Sequence, residues 1–277
     1  MSNILDSILK QYENNKSSGG GGNFEKKKVD LTKYFAPFLP KGESNGERTI
    51  RILPTQNGDS PFTEAWFHEI QVDGKWQKLY DPGKNDGERS PITEVNEALL
   101  MTGDPEDRVL ARQYKPKKFY IVKVIDRDRE DEGVKFWRFK HNYKGDGIMD
   151  KLIPLFQKRG DITDPREGRD INLILKSVKM PSGKGSYTSV STIMVEDPSI
   201  LTTDVEKANT WVGHSEIYKD VYSKKDEQFL EKVAKGENPY ERKEERSTPP
   251  APTTPISNTT ISELDQGTEI NMDDMPF

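Results

Sequence analysis

Hydrophobic residues fall in short runs along this chain, and the spacing within the runs changes from segment to segment. Near the start, Ile4, Leu5, Ile8, Leu9 and Tyr12 keep the spacing of one helical face, and Ser2 or Asn3 supplies a cap. A helix of three turns is marginal by itself, so this stripe is expected to dock, on its own domain or on another chain. Lys16-Ser17-Ser18 and Gly19 to Gly22 follow as a flexible tether, which favours another chain.

From Arg48 onward the period shortens to two. Thr49 to Leu53 alternates and stops at Pro54, while Phe62 to Val72 and Lys75 to Tyr80 flank the hairpin turn Asp73-Gly74. Pro91 to Met101 returns to helical spacing through Ile92, Val95, Leu99 and Leu100, with Gly103 just past its end. Two strand patterns follow, Phe119 to Ile125 and Val134 to Lys140, around the charged run Asp126 to Gly133. Gly147 to Gln157 reads as a helix that Pro154 can kink, and Ile171 to Lys179 with Tyr187 to Val195 as a last hairpin around Pro181 to Gly185. Ser215 to Lys235 reads as one polar helix carrying Ile217, Val221, Phe229 and Val233. Beyond Arg246, Ser, Thr and Pro dominate and no apolar period survives, the composition of a disordered segment. Short strands in hairpins with one or two inserted helices predict a mainly β fold, a small barrel or a sandwich.

Composition sharpens this picture. The 277 residues are 32% hydrophobic and 32% charged, an apolar share well below the usual ~45–50%, so a folded core with disordered flanks is expected. Lys and Arg number 42 against 47 Asp and Glu, a net charge of −5. Ser247 to Phe277 holds five acids (Glu263, Asp265, Glu269, Asp273, Asp274) and no base, so the body is neutral and the surplus sits in the tail. Cysteine is absent, which excludes disulfides, thiolate zinc sites, iron–sulfur clusters and a cysteine nucleophile. No apolar run approaches the ~20 residues of a membrane span, and no basic-then-apolar leader opens the chain. A cytoplasmic protein without a membrane partner is expected.

Catalytic patterns find little support. His68, His141 and His214 are isolated in sequence, and a lone His is more often a packing or surface residue than a base. Gly183-Lys184 lacks the Ser or Thr of a phosphate loop, since Gly185 follows, and Val178 stands where the first Gly belongs. Asp126 to Glu132 has the charge of a calcium loop but no Gly at its sixth position, so it reads as a solvated hairpin tip. No metal and no cofactor are expected.

Arg112 to Lys144 carries the chemistry. It holds eleven bases, and its five acids all lie in the hairpin tip. Tyr114, Phe119, Tyr120, Phe136, Trp137, Phe139 and Tyr143 are interleaved with Lys117, Lys118, Lys123, Lys135, Arg138 and Lys140. Single-stranded nucleic acid suits this mixture, because cations track phosphates while flat rings stack on unpaired bases. Alternation puts Val134, Phe136 and Arg138 on one face and Lys135, Trp137 and Phe139 on the other. One face must be core, so some of these rings are packing residues. The pattern therefore leaves open an ordinary folded module whose cations are only a solvated face.

Several segments, in order and spacing, resemble the helix-destabilising single-stranded DNA-binding proteins of T-even phages. Asn45-Gly46-Glu47-Arg48-Thr49-Ile50-Arg51-Ile52-Leu53-Pro54 resembles that family's opening strand, and His68 to Gly74-Lys75-Trp76 keeps its His-to-Trp spacing. Glu132-Gly133-Val134 with Trp137-Arg138-Phe139 resembles its central hairpin; Asn172 to Lys176, Ser182-Gly183 and Tyr187 resemble its last one. The resemblance implies an OB-fold-like small barrel with inserted helices that binds single-stranded DNA with little sequence preference. It places Phe119, Tyr120, Trp137 and Tyr187 at ring positions of the DNA cleft and Lys117, Lys118 and Arg138 at or beside its basic positions. Arg51, Lys123, Lys135, Phe139, Lys140 and Lys176 complete the expected DNA-binding set.

Two departures from that family stand out. It binds zinc through one His and three Cys; His68 occupies the His position, but with no Cys the metal is expected to be replaced by apolar packing of the Ser90 to Met101 helix. The family also self-associates through a basic N-terminal motif, whereas this segment has only Lys10 and Lys16, leaving Ile4, Leu5, Ile8 and Leu9 as the expected contact with neighbouring copies. The chain end, with Asp273, Asp274, Met275, Pro276 and Phe277, resembles the C-terminal peptide through which bacterial single-stranded DNA-binding proteins recruit replication and recombination partners. The expected organisation is an N-terminal segment 1–22, a DNA-binding core 23–214, a C-terminal helix 215–240 and a disordered acidic tail 241–277. The function so implied is non-enzymatic coating of single-stranded DNA during phage replication, recombination and repair. An RNA-binding OB-fold protein, or a structural adaptor acting through its tail, remains the alternative.

Overall fold

The structure, a computed structural model, describes residues 30–180 and 185–240. The N-terminal stripe with Ile4, Leu5, Ile8 and Leu9, the turn tip 181–184 and the acidic tail lie outside the described residues. Among these residues, one sheet contains β1 (Tyr34–Phe35), β2 (Asn45–Ile52), β3 (Thr63–Val72), β4 (Lys75–Tyr80), β5 (Lys117–Asp126), β6 (Val134–Lys140), β7 (Arg169–Lys179) and β8 (Ser186–Pro198). Its helices are α1 (Pro82–Asp86), α2 (Pro91–Met101), α3 (Pro105–Tyr114), α4 (Ile148–Arg159), α5 (Val205–Val212), α6 (Tyr218–Val221) and α7 (Glu227–Ala234). No helix of the described residues is long and apolar enough to cross a membrane.

β5 organises the sheet. One of its edges pairs along its length with β6. The other edge is shared: Ile50–Ile52 of β2 lie opposite Val124–Asp126, and Thr63–Phe67 of β3 lie opposite Lys117–Ile121. The strand order is β1-β6-β5-β2-β7-β8, with β4 attached through β3. The fold is mainly β with inserted helices, as the alternation predicts, but the sheet does not close into the expected barrel. β1 pairs with β6, Tyr34 opposite Phe136 and Phe35 opposite Trp137, on the edge that a closing strand would need.

Helix starts follow from short capping signals. Asp81-Pro82, Ser90-Pro91 and Asp104-Pro105 open α1, α2 and α3, each polar side chain accepting a first-turn backbone N–H while Pro fills a position whose N–H has no partner. α3 escapes the sequence pattern because Ala111 is its one buried residue. The helix expected over Ser215 to Lys235 is two helices: Tyr222 leaves the helical region, and Asp226 accepts from Gln228 N–H at 2.9 Å to start α7.

The charged turn between β5 and β6 also differs from expectation. It is a 3-10 turn over Arg127–Glu132, tied to the body. The buried Asp126 receives Arg48 at 2.6 Å, and Arg127 meets both carboxylate oxygens of Asp170 at 2.9 Å.

Both faces of the β5–β6 region are covered. Tyr120, Val122, Val124, Trp137 and Phe139 enter the larger core with Ile50, Leu173 and Leu175, under Leu152 of α4. Phe119, Ile121 and Phe136 point the other way, beneath Val221 and Tyr222 at the end of α6. α2 and α7 together cover Ile70, Val72 and Leu79, while α5 supplies Trp211 against Leu53, Ile125 and Val134. Each fully buried aliphatic side chain of this kind contributes about 1.5–3 kcal/mol.

Candidate nucleic-acid interface

Coverage of both faces relocates the rings that the sequence assigns to DNA. Trp137 is 1% exposed, and Phe119 and Phe139 are equally enclosed. A ring must free one π-face to stack on a base, so these three act as core in this arrangement. Trp137 stands edge-on to Phe35 and tilted on Phe139, an aromatic packing cluster. Tyr120 is nearly buried, beside His141 and beneath the Lys118 ammonium at 5.3 Å.

Three expected phosphate contacts are also interior groups. Arg51 is completely buried; it donates to Asp170, Asp164 carbonyl and both oxygens of Ser199 at 2.9–3.2 Å, pinning the loop before β7. A side chain at Gly168 would collide with Asp164 carbonyl and the Arg51 guanidinium, so this close approach needs glycine there. Lys135 is buried against Glu132, and Lys123 donates to His214 carbonyl at 2.6 Å. Arg138 is stacked rather than extended, its guanidinium 4.3 Å from the Tyr222 ring centre and 4.6 Å from that of Phe67.

The remaining cations divide between the two faces, and Lys117 and Lys140 share one of them. Lys117 and Lys118 open β5, and antiparallel pairing with β6 sets Lys140 opposite Phe119. Pairing with β3 sets Lys117 opposite Phe67. Glu69 lies two residues farther along β3, on the same face, and accepts from Lys117 at 2.6 Å and Lys140 at 2.5 Å. On the opposite face, Lys118 lies opposite Trp66 and pairs with Glu64 at 2.5 Å. Burial opposes the charge on Glu69, but the two ammonium donors outweigh it and hold its carboxyl below the ordinary range.

The same register extends the strip onto β4, where Lys78 lies opposite Glu69 and Trp76 opposite Gln71. Trp76 is 56% exposed, whereas Trp137 and Trp211 are core. At the far end of β6, Tyr143 is 78% exposed and stands edge-on to His141, which in turn contacts Tyr120. Trp76, His141 and Tyr143 are absent from the sequence-based site; only counting alternation outward from the buried Phe67 through Glu69 to Gln71 would have found Trp76. Lys176 and Tyr187 do not join this strip. They stand on β7 and β8, two and three strands from β5 in the sheet order, with Lys176 opposite Ser189 and Tyr187 opposite Val178.

Residues 44–237 match the family model described as "gp32 DNA binding protein like". The chain belongs to this gp32-like DNA-binding family. No curated protein matches the chain. The gp32-like match runs from the start of β2 past the end of α7, so it includes the strip, the core rings and the C-terminal helices that cover them.

The zinc site implied by the T-even resemblance can be tested on these side chains. His68 is fully buried, with Nδ1 2.8 Å from Tyr114 carbonyl and Nε2 3.2 Å from Asp81 Oδ1. Both ring nitrogens are therefore engaged within the protein. Thr93 of α2 donates to Asp81 at 3.2 Å, and Ser90 hydrogen-bonds the same carboxylate. Among the described residues no group of three or more His, Cys, Asp or Glu is placed to hold a metal. This gp32-like chain does not fit the thiolate site; instead of the expected apolar packing, a polar network of His68, Asp81, Thr93 and the Tyr114 carbonyl joins β3, α1, α2 and the end of α3 at that position.

Proposed function

We propose that this protein binds single-stranded DNA, coats it without strong sequence preference and protects it during replication, recombination and repair of phage DNA. The observation that carries this reading is the strip on the β6-β5-β3-β4 surface: Lys140 and Lys117 at one end, Lys78 and the exposed ring of Trp76 at the other. Cations spaced along a surface suit a phosphate backbone, and an exposed indole suits an unpaired base of any identity. A protein that binds single strands and not duplex lowers duplex stability by mass action. The partly open sheet serves as the OB-like platform for that contact. The work is binding rather than catalysis, in the cytoplasm of the host cell.

The terminal segments extend this proposal. The Ile4, Leu5, Ile8 and Leu9 stripe contacts a neighbouring copy on the DNA, and Asp273 to Phe277 engages replication and recombination proteins. Both assignments rest on the sequence pattern.

Titration with poly(dT), followed by Trp fluorescence, tests the central claim. Quenching that saturates, weakens with salt and disappears in Trp76→Phe supports it. Tighter binding to a matched RNA would favour the RNA-binding alternative, and absence of salt-dependent binding to either would leave the adaptor reading.

A further inference from the structure

Two ammonium groups of the strip already hold an anion from their own chain. Lys117 and Lys140 share one oxygen of Glu69. That carboxylate comes from β3, which runs beside β5. The Glu69 side chain is 18% exposed, so its charge is screened little by solvent, while the two ammonium groups it binds are 30% and 42% exposed. Each ammonium carries three donor hydrogens, so it can meet a phosphate while still touching its carboxylate.

We infer that Glu69 is a built-in counter-anion of the DNA-binding strip, which reduces the charge offered to phosphates and so tempers both affinity and salt dependence. The inference rests on the proposal that this strip binds DNA. Two lysines with one Glu69 present a net charge of one. Salt dependence of binding to single strands scales at roughly 0.7 per phosphate neutralised. The two lysines should thus contribute a slope of about 0.7, where unpaired they would contribute about 1.4. A strip muted in this way holds DNA less by charge than by contacts to bases, and it discriminates against polyanions that offer no base to stack.

The experiment measures affinity for a short oligo(dT) at several salt concentrations with the full chain. Glu69→Gln keeps the side chain's shape and removes its charge. It should steepen the slope of log affinity against log salt by about 0.7, which makes binding about fivefold tighter, relative to wild type, for every tenfold drop in salt. Glu196→Gln, on β8, makes the same change in net charge away from the strip and should leave the slope unchanged. A wild-type slope in Glu69→Gln, with melting curves showing it folded, would overturn the inference. So would weaker binding of Glu69→Gln at every salt concentration, because Glu69 would then be positioning the lysines. A wild-type protein that binds no oligo(dT) at all would instead sink the proposed function, a separate outcome.

Discussion

His68 Nε2 lies 3.2 Å from Asp81 Oδ1, and neither side chain has any exposed surface. The Tyr114 carbonyl at 2.8 Å can only accept, so His68 Nδ1 carries a hydrogen. Asp81 also caps α1 through Gly83 and Lys84 N–H. One buried pair therefore ties β3 to the start of α1 and, through Tyr114, to the segment that enters β5 at Lys117. A fault here would propagate to Lys117 through the backbone.

Asp81 makes this pair sensitive to acid. Burial disfavours its charge, but hydrogen bonds from His68 and Ser90 outweigh that effect and lower its pKa to about 2. A carboxyl whose folded pKa is depressed contributes stability above its unfolded value, near ~3.9, and loses it as pH falls through the folded value. The contribution, about 2 kcal/mol, should be complete above pH 4 and fade towards pH 2. Asp81→Asn should flatten the acid limb of the melting profile in that window. At neutral pH it should cost about 1–3 kcal/mol, because the buried groups that bond the carboxylate lose a charged partner. An unchanged acid limb would show that other carboxylates set it.

Metal should be irrelevant to stability at this position. Thiolates dominate structural zinc sites, and here His68 is held by Tyr114 and Asp81 instead. The purified chain should contain no stoichiometric zinc, and a chelator should leave its melting temperature unchanged. His68→Ala should melt lower with or without added zinc. Elemental analysis finding one zinc per chain would refute this.

Arg51 should prove a stability residue. Its guanidinium makes four polar contacts in a fully buried site and shares Asp170 with Arg127. Arg51→Met leaves Asp170 and two carbonyl oxygens with fewer donors, at a cost of about 3–5 kcal/mol. Below its melting temperature the variant should bind oligo(dT) like wild type. Weakened binding at unchanged stability would return Arg51 to the interface.

Much of the sheet is legible in the sequence because its signals are local. β4, β6 and α2 occupy the spans that alternation, turn residues and capping predict. The site was less legible because exposure depends on distant cover. β6 alternates, but which face is free depends on Tyr222, whose hydroxyl donates to Phe136 carbonyl across 86 positions of chain. With α4 on one side and α6 on the other, the expected free face does not exist. His68 is similar: Asp81, Thr93 and Tyr114 are ordinary residues in sequence, and only folding makes them a network. β1, which blocks closure of the sheet, is two residues long and carries no periodic signal.

Two tryptophans separate packing from binding. Trp137 is enclosed by Phe35 and Phe139 in the larger core, so Trp137→Ala opens a cavity and should cost about 3–5 kcal/mol of stability. Any loss of DNA binding in that variant should track its unfolding and vanish on cooling. Trp76 lies on β4 with most of its ring in solvent, so Trp76→Ala should leave the melting temperature within about a degree or two, since surface substitutions rarely exceed ~0.5 kcal/mol. Its binding should nonetheless weaken by about 1–3 kcal/mol, the value of one stacked base. Trp76→Tyr should recover much of that loss, because stacking needs a flat ring rather than an indole in particular. The two readouts must therefore cross, with stability falling in one variant and affinity in the other. If Trp76→Ala binds poly(dT) as tightly as wild type while a folded Trp137→Ala does not, the DNA path runs through the β5–β6 core instead, and α4, which covers that face, must move aside to admit the strand.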